Sequence, residues 1–496
     1  MSTVSKGQLI HPSFGTGEII ESNGKIYSCS LNQTDIGANS NKFYIMQLIK
    51  NGSNYNFGVV YGRLGEKGKS SLTPYAFESS GCAAFAKQFK AKTGNVWGTD
   101  NFVKKAGKYF MSAVSYEDEL KNVPDTASTT IPDSKLPEKV QKLISMLSDV
   151  NMMKNALVSL DIDTKKMPLG KIKQKQLDEA GAVLDKIQPL LKDINDKKGN
   201  VDDLKTQLVD LSSEYYTYLP MAFGRRKPPV INSDEMISKY RDTLDELRNI
   251  VVNVQITENV KSGDNPIDSM YKDINTTINP LDKNSQMWQE IEKYVKNSHG
   301  PTHGCKLEIQ DIFEVEQHGR KQIFDDHCKN IGNRTLLYHG TPQSCVLSIF
   351  KNKYYLDPSK LNDPKIQIAG KLLGYGVYFA DSCSKSINYC PANMTNDVGC
   401  LILNEIALGN QSTRNNPDYG INKDVLAKTN HHSAHGLGKW EPSSSTVVDG
   451  IQIPSGPLKD TGKGTYLKYN EFVVYDVDQI LIKYLIIVKN NGNYNF

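Results

Sequence analysis

The hydrophobic period of this chain changes twice along its length, and those changes limit its fold more than any other feature. Residues 24 to 80 alternate with a period near two. "KFYIMQLIK" and "YNFGVVYGRLG" are rich in aromatic and β-branched residues, as half-buried strands are. Gly65 and Gly68 mark a turn, and "AAFAKQFKAKTG" then reads as a helix closed by Gly94. Residues 136 to 262 repeat every three to four positions instead. Val140, Leu143, Ile144, Leu147 and Val150 share one helical face, and "KQKQLDEAGAVLDKIQPLLKDI" and "VDDLKTQLVDLSSEYYTYL" continue the pattern. Ser233 is placed to cap a further helix. From 266 to 496 the apolar runs shorten to "RTLLYHG", "YGVYFAD", "GCLILNEIALG" and "YNEFVVYDVDQILIKYLIIV", divided by Gly, Pro and Asn. The expected fold class is therefore multidomain α+β. It comprises a small α+β module at 24–118, an all-α helical bundle at 136–262 and a mostly antiparallel β domain with few helices at 266–496. Residues 119–135, "KNVPDTASTTIPDSKLP", read as a linker, 410–432 as a polar loop insertion, and 1–23 as an N-terminal tail without pattern.

Charge is distributed unevenly. The whole chain carries +4, yet between Gly24 and Phe110 twelve Lys or Arg face four acidic residues, a balance of 12 − 4 = +8. A polyanionic partner and a solvated lysine-rich surface both fit that excess. No run of about 18 apolar residues suggests a membrane span, and Met1 to Gly15 lack a signal-peptide core, so residence inside the cell is expected. The eight cysteines (29, 82, 305, 328, 345, 383, 390 and 400) form no CxxC pair. They read as reduced thiols, and no metal site is expected.

Three segments carry chemistry. "LLYHGT" puts a His–Gly pair, His339 and Gly340, at a strand end, where glycine permits close approach. "GKLLGYGVYFADSCSKSINYC" sets Tyr378 and Tyr389 around a Ser–Lys–Ser run, an arrangement suited to a flat aromatic amide, with no phosphate-loop pattern. "YNEFVVYD" opens an apolar strand with Glu471. Taken singly, each fits an ordinary turn, core or solvated strand end.

Together they resemble the catalytic domain of the poly(ADP-ribose) polymerases in order and spacing, supported by "KYVKNSHGPTH", "LILNEIALGN", "HSAHGLGK" and "VVDGIQIP". "MPLGK" and "YYTYLPMAFGRRKPPVIN" resemble that family's helical regulatory domain. "VVYGRLGEKG" with "KTGNVW" resembles its Trp-Gly-Arg domain, the signature here reading Tyr61-Gly62-Arg63. Coverage runs from about residue 24 to the end, without the family's zinc fingers, so the chain is similar to the short DNA-dependent members.

The resemblance implies an NAD+ ADP-ribosyltransferase with His339, Tyr378 and Glu471 as its catalytic set. His339, Gly340, Thr341, Tyr378, Ser386 and Tyr389 would hold NAD+ as co-substrate, and Lys385 and Tyr469 would lie on the acceptor side. Arg63, Asn95 and Trp97 would bind damaged DNA at strand breaks and 5′-phosphate ends, with Tyr61 structural. The helical domain would be autoinhibitory, with Asp242 and Asp245 facing the donor site. Protein acceptors including the chain itself, an accessory factor for serine modification and a nuclear location follow from the same likeness. Two positions depart from the family pattern: Cys345 stands where an Asn is usual and Tyr355 where an Arg is frequent. Both fall on the adenosine side. The stretch around Leu372 also differs from that of strong polymerisers. Mono-ADP-ribosylation and a DNA-binding scaffold with weak transferase activity are the alternatives.

Overall fold

The computed structural model describes residues 4–5, 8–99, 101–112, 132–160, 162, 174–260, 263–356, 371–390 and 397–492. Most of the linker at 119–135, the "MPLGK" motif and the prolines after Tyr355 lie outside the described residues. Backbone packing divides the chain into two compact units, 1–127 with 153–254, and 128–152 with 255–496. The helical stretch that the periodicity presents as one bundle is thus shared between them.

In the first unit, a sheet runs in the order Phe110–Ser112, Ser28–Asp35, Ser40–Asn51, Asn54–Arg63, Lys69–Tyr75, all antiparallel. The strand Ser40–Asn51 is apolar at both parities, so both of its faces must be covered. Tyr44, Met46 and Leu48 face the helix Glu78–Thr93 through Phe85 and Phe89. Phe43, Ile45 and Ile49 face the other way, where Ile10, Phe14 and Ile19 meet them. Residues Glu18–Ile19 also pair with Ile49 and Lys50. Ile10, Phe14, Ile19 and Ile20, before residue 24, are therefore part of this module's core. These apolar residues, spaced without a period, give no element signal of their own.

The helices Gln174–Asn195, Val201–Tyr218 and Asp234–Glu258 complete the first unit. Arg241 pairs with Asp185 at 2.8 Å and Arg248 with Asp178 at 3.2 Å, tying the outer two together. The helix Val201–Tyr218 also closes the open edge of strand Ser28–Asp35. Thr34 N–H donates to Thr217 Oγ1 and Ile36 N–H to Ser213 Oγ, each at 3.0 Å. Two residues along a strand and four along a helix cover nearly the same distance, about 6–7 Å, so one hydroxyl per turn satisfies alternate strand amides.

The second unit is built on a seven-stranded sheet in the order 276–280, 307–317, 480–490, 398–407, 334–340, 451–453, 446–448. All its neighbours are antiparallel except 334–340 with 451–453. A four-stranded sheet joins 377–379, 471–474, 433–436 and 411–414. Tyr338 and Ala380 exchange both backbone hydrogen bonds, at 2.9 and 3.0 Å, and so stitch the two sheets at one point. Short helices recur through the unit, more of them than the strand-like runs suggest. The stretch 410–432 is not a plain loop: it supplies the strand Gln411–Arg414 and the helix Lys423–Ala427, capped by Asn422. Its polar residues are spent on caps and ion pairs, such as Lys423 to Asp476 at 2.7 Å. Among the described residues no helix is long and apolar enough to cross a membrane.

Candidate active site and nucleic-acid face

Strand Arg334–Gly340 delivers His339 and Gly340 at its end, opposite Ile402 and Leu401. His339 Nδ1 lies 3.0 Å from the Tyr378 carbonyl oxygen. A carbonyl can only accept, so Nδ1 carries the proton and Nε2 offers a lone pair. Tyr354 meets the imidazole edge-on at 4.7 Å and Phe379 lies at 5.7 Å. Burial pushes the imidazole down to about 4, so the ring is neutral at physiological pH. At Gly340, a Cβ would run into the Ser386 carbonyl. The strand end therefore meets the following helix at a separation only glycine allows.

Tyr378 sits on the strand Val377–Phe379, paired with Glu471–Val474. Its hydroxyl donates to the Gly374 carbonyl at 2.8 Å and accepts the Leu373 N–H at 3.0 Å, which fixes the ring. The helix Cys383–Ile387, capped by Ser382, carries Lys385 and Ser386. Ser386 is buried, and its backbone accounts for its helix contacts, N–H to Ser382 and carbonyl to Tyr389. Tyr389 is 62% exposed and Thr341 is buried.

Glu471 is held by one oxygen only. Lys385 Nζ lies 2.8 Å from its Oε1 and also donates to the carbonyls of Tyr469 and Asn470 at 3.3 and 3.2 Å. Glu471 Oε2 is buried with no hydrogen-bond partner. A buried bare carboxylate oxygen is expensive for the fold, so its place is suited to a hydroxyl brought by a ligand. Tyr469 OH bonds Thr302 Oγ1 at 2.8 Å, and His303 packs on the Tyr469 ring at 4.7 Å. The second unit thus brings His339 to Tyr378, Gly340 to Ser386, and Lys385 to Tyr469 and Glu471. Cys345 is 1% exposed and belongs to the core, whereas Tyr355 is half exposed. Sequence reasoning passed over Asp381 and Asn470, which lie inside the quoted motifs; a short polar residue beside a motif has no pattern of its own. Among the described residues no three His, Cys, Asp or Glu are grouped to hold a metal ion.

The three residues named for DNA lie in the first unit, in three different settings. Trp97 packs edge-to-face on Phe85 and Phe89 at 4.7 and 4.9 Å, and its partly buried ring lies against the core. Asn95 is buried; its side chain clamps the loop by bonding Thr93 and both backbone groups of Val103. Arg63 spends its guanidinium on the carbonyls of Asn39, Gly224 and Arg226 and on Asn39 Oδ1, at 2.6–3.0 Å. Tyr61 is 43% exposed and stacked on Tyr44 at 5.7 Å. It borders two grooves. One of about 320 Å³ is lined by Asn39, Lys42 and Arg63, and one of about 480 Å³ by Tyr44, Gln88 and Lys92, with Tyr109 on both. On the helices, Asp245 pairs with Arg248 at 2.9 Å, and Asp242 is exposed.

Residues 285–490 match the poly(ADP-ribose) polymerase catalytic domain, 134–271 the poly(ADP-ribose) polymerase regulatory domain and 27–104 the WGR domain. The chain belongs to the poly(ADP-ribose) polymerase family. It is 33% identical over 486 residues to poly [ADP-ribose] polymerase 2 of Homo sapiens, covering 94% of this chain and 80% of that one. To poly [ADP-ribose] polymerase 1 of Gallus gallus it is 33% identical over 501 residues, covering 99% of this chain and 48% of the relative. The chain thus spans about half the length of the polymerase 1 relatives it matches. Poly [ADP-ribose] polymerase 2 of Zea mays is 32% identical over 491 residues, 96% of this chain and 72% of that one.

Proposed function

We propose that this chain cleaves NAD+ at the nicotinamide–ribose bond and transfers ADP-ribose to proteins, itself included, building poly(ADP-ribose) in response to DNA breaks. The observation that carries this reading is Glu471, with one oxygen on Lys385 and the other buried and bare. Nicotinamide departs from NAD+ as a neutral molecule, taking the bond's electron pair, so no general acid is needed. What the reaction needs is orientation and negative charge near the ribose as positive character develops there. Glu471 Oε2 accepts a ribose hydroxyl and, as the acceptor oxygen bonds to the anomeric carbon, takes its proton.

His339 Nε2 accepts from the adenosine ribose, the only polarity its tautomer permits. The Gly340 backbone and the Ser386 hydroxyl hold the carboxamide, Tyr378 and Tyr389 flank the ring, and Thr341 belongs to the same NAD+-binding set. Lys385 and Tyr469 face the acceptor. Functionally the chain divides into a DNA module at 24–118, a regulatory stretch at 136–262 and the transferase at 266–496. Tyr61, Lys42 and Lys92 offer the grooves to a broken DNA end, including its 5′-phosphate. Arg63 and the Thr34, Ile36 and Asn41 bonds to residues 213–226 support a path by which occupancy loosens inhibitory helices. Nuclear residence and an accessory factor for serine acceptors accord with this role.

Calorimetry with NAD+ and label transfer, on native chain and on Glu471→Gln, test the assignment. The variant should bind NAD+ within about threefold of native and transfer at least about a hundredfold less. Undiminished transfer by Glu471→Gln would refute the role.

A further inference from the structure

Two buried polar side chains lie behind the Lys385–Glu471 pair, and the roles above leave them unused. Asp381 is 2% exposed and Asn470 3%. Asn470 Nδ2 donates to Asp381 Oδ2 at 2.7 Å, and Asn470 Oδ1 accepts the Gly438 N–H at 2.8 Å. The Asn470 amide is thereby held at both ends. Its backbone carbonyl, with that of Tyr469, receives Lys385 Nζ, whose remaining bond goes to Glu471. Asp381 stands directly before Ser382, the cap of the helix that carries Lys385. The helix with the lysine and the segment with the glutamate are therefore joined twice: through the charged pair, and behind it through Asp381 and Asn470.

For the fold alone this is a costly arrangement. Asp381 Oδ1 has no partner, and burial pushes the carboxyl up to about 6. An apolar pair of the same volume would stabilise as much or more. What a carboxylate supplies here is a fixed acceptor for the Asn470 amide and a negative charge near Lys385. We infer that Asp381 and Asn470 are positioning residues that set the separation and orientation of Lys385 and Glu471, and thereby govern transfer to the acceptor rather than capture of NAD+. This rests on Glu471 being the catalytic carboxylate. Neither residue bonds His339, Tyr378 or Ser386 among the described residues, so the donor side stays intact when the pair is disturbed.

Reversing the pair provides the test. Asn470→Asp sets a second carboxylate against Asp381 and breaks the bond. Adding Asp381→Asn restores it with opposite polarity, because an aspartate at 470 accepts both the Gly438 N–H and the new amide. The assay follows nicotinamide release and label transfer by the full chain with a nicked DNA duplex. Asn470→Asp should lower kcat at least about tenfold with KM for NAD+ within about twofold, and the double variant should regain kcat to within about threefold of native. Four results would overturn the inference: native kcat in Asn470→Asp, a rise in KM with kcat unchanged, a double variant that melts like native yet stays slow, or one that melts as low as the single variant. A native chain that releases no nicotinamide refutes the transferase reading itself, and the positioning role with it.

Discussion

Asp381 gives the second unit a pH dependence of stability with a definite sign. Its carboxyl has an ordinary value of 3.8 and is pushed up to about 6 by burial. Between those values the folded chain holds a proton that the unfolded chain has released. The contribution is fully present below about pH 3.8 and lost as pH rises through about 6. A difference of about two units at about 1.4 kcal/mol each makes it about 3 kcal/mol. Asp381→Asn removes the titration but keeps an oxygen to accept the Asn470 amide. Melting of native and variant chains, compared from pH 4.5 to 7.5, isolates the term because every other group is common to both. Relative to the variant, native chain should lose stability as pH rises from 4.5 to about 6 and then level off to 7.5. For a unit of this size, each 1 kcal/mol corresponds to about 2–4 °C. Parallel profiles would mean that Asp381 is solvated or paired, and the reasoning from its burial would be wrong.

Other expectations follow from single contacts. Gly340→Ala drives a Cβ into the rigid Ser386 carbonyl, so it should cost about 1–3 kcal/mol of stability and raise KM for NAD+ at least about tenfold in steady-state kinetics. His339 is neutral down to about pH 4, with its stability contribution present above its ordinary 6.5 and lost as pH falls through about 4. NAD+ affinity by calorimetry should therefore hold from pH 8 to 5.5, whereas a tenfold loss centred near 6.5 would contradict the assigned tautomer and burial. Phe14 is 4% exposed beneath the first sheet, and Phe14→Ala should destabilise the first unit by about 3–5 kcal/mol in denaturant melts. A tail outside the core would show no change.

Much of the candidate site is legible in the sequence, because its parts sit at element ends that short motifs mark. His339 and Gly340 close a strand, and Glu471 opens another. What brings them together is less visible. The Tyr338–Ala380 bridge and the Lys385–Glu471 pair span 42 and 86 residues, and no periodicity encodes contacts of that range. The first module shows why surface and core are harder to separate. Trp97 and Tyr61 are both large aromatics near basic residues, yet one fills the gap between two phenylalanines of a helix and the other stands on the open face of a strand. Composition cannot tell these apart, since either ring can pack or stack. The buried segment before residue 24 hides for another reason: its partners are strand positions that the two-sided apolar run of 40–51 implies but does not name.

The central claim, DNA-dependent transfer of ADP-ribose from NAD+, is tested most directly by incubating the full chain with labelled NAD+, with and without a nicked duplex, and resolving the products on a denaturing gel. The account predicts a ladder of labelled polymer that appears with the nicked DNA and is absent from Glu471→Gln. A single shifted band would limit the enzyme to mono-transfer, and a native chain that acquires no label under either condition would contradict the account.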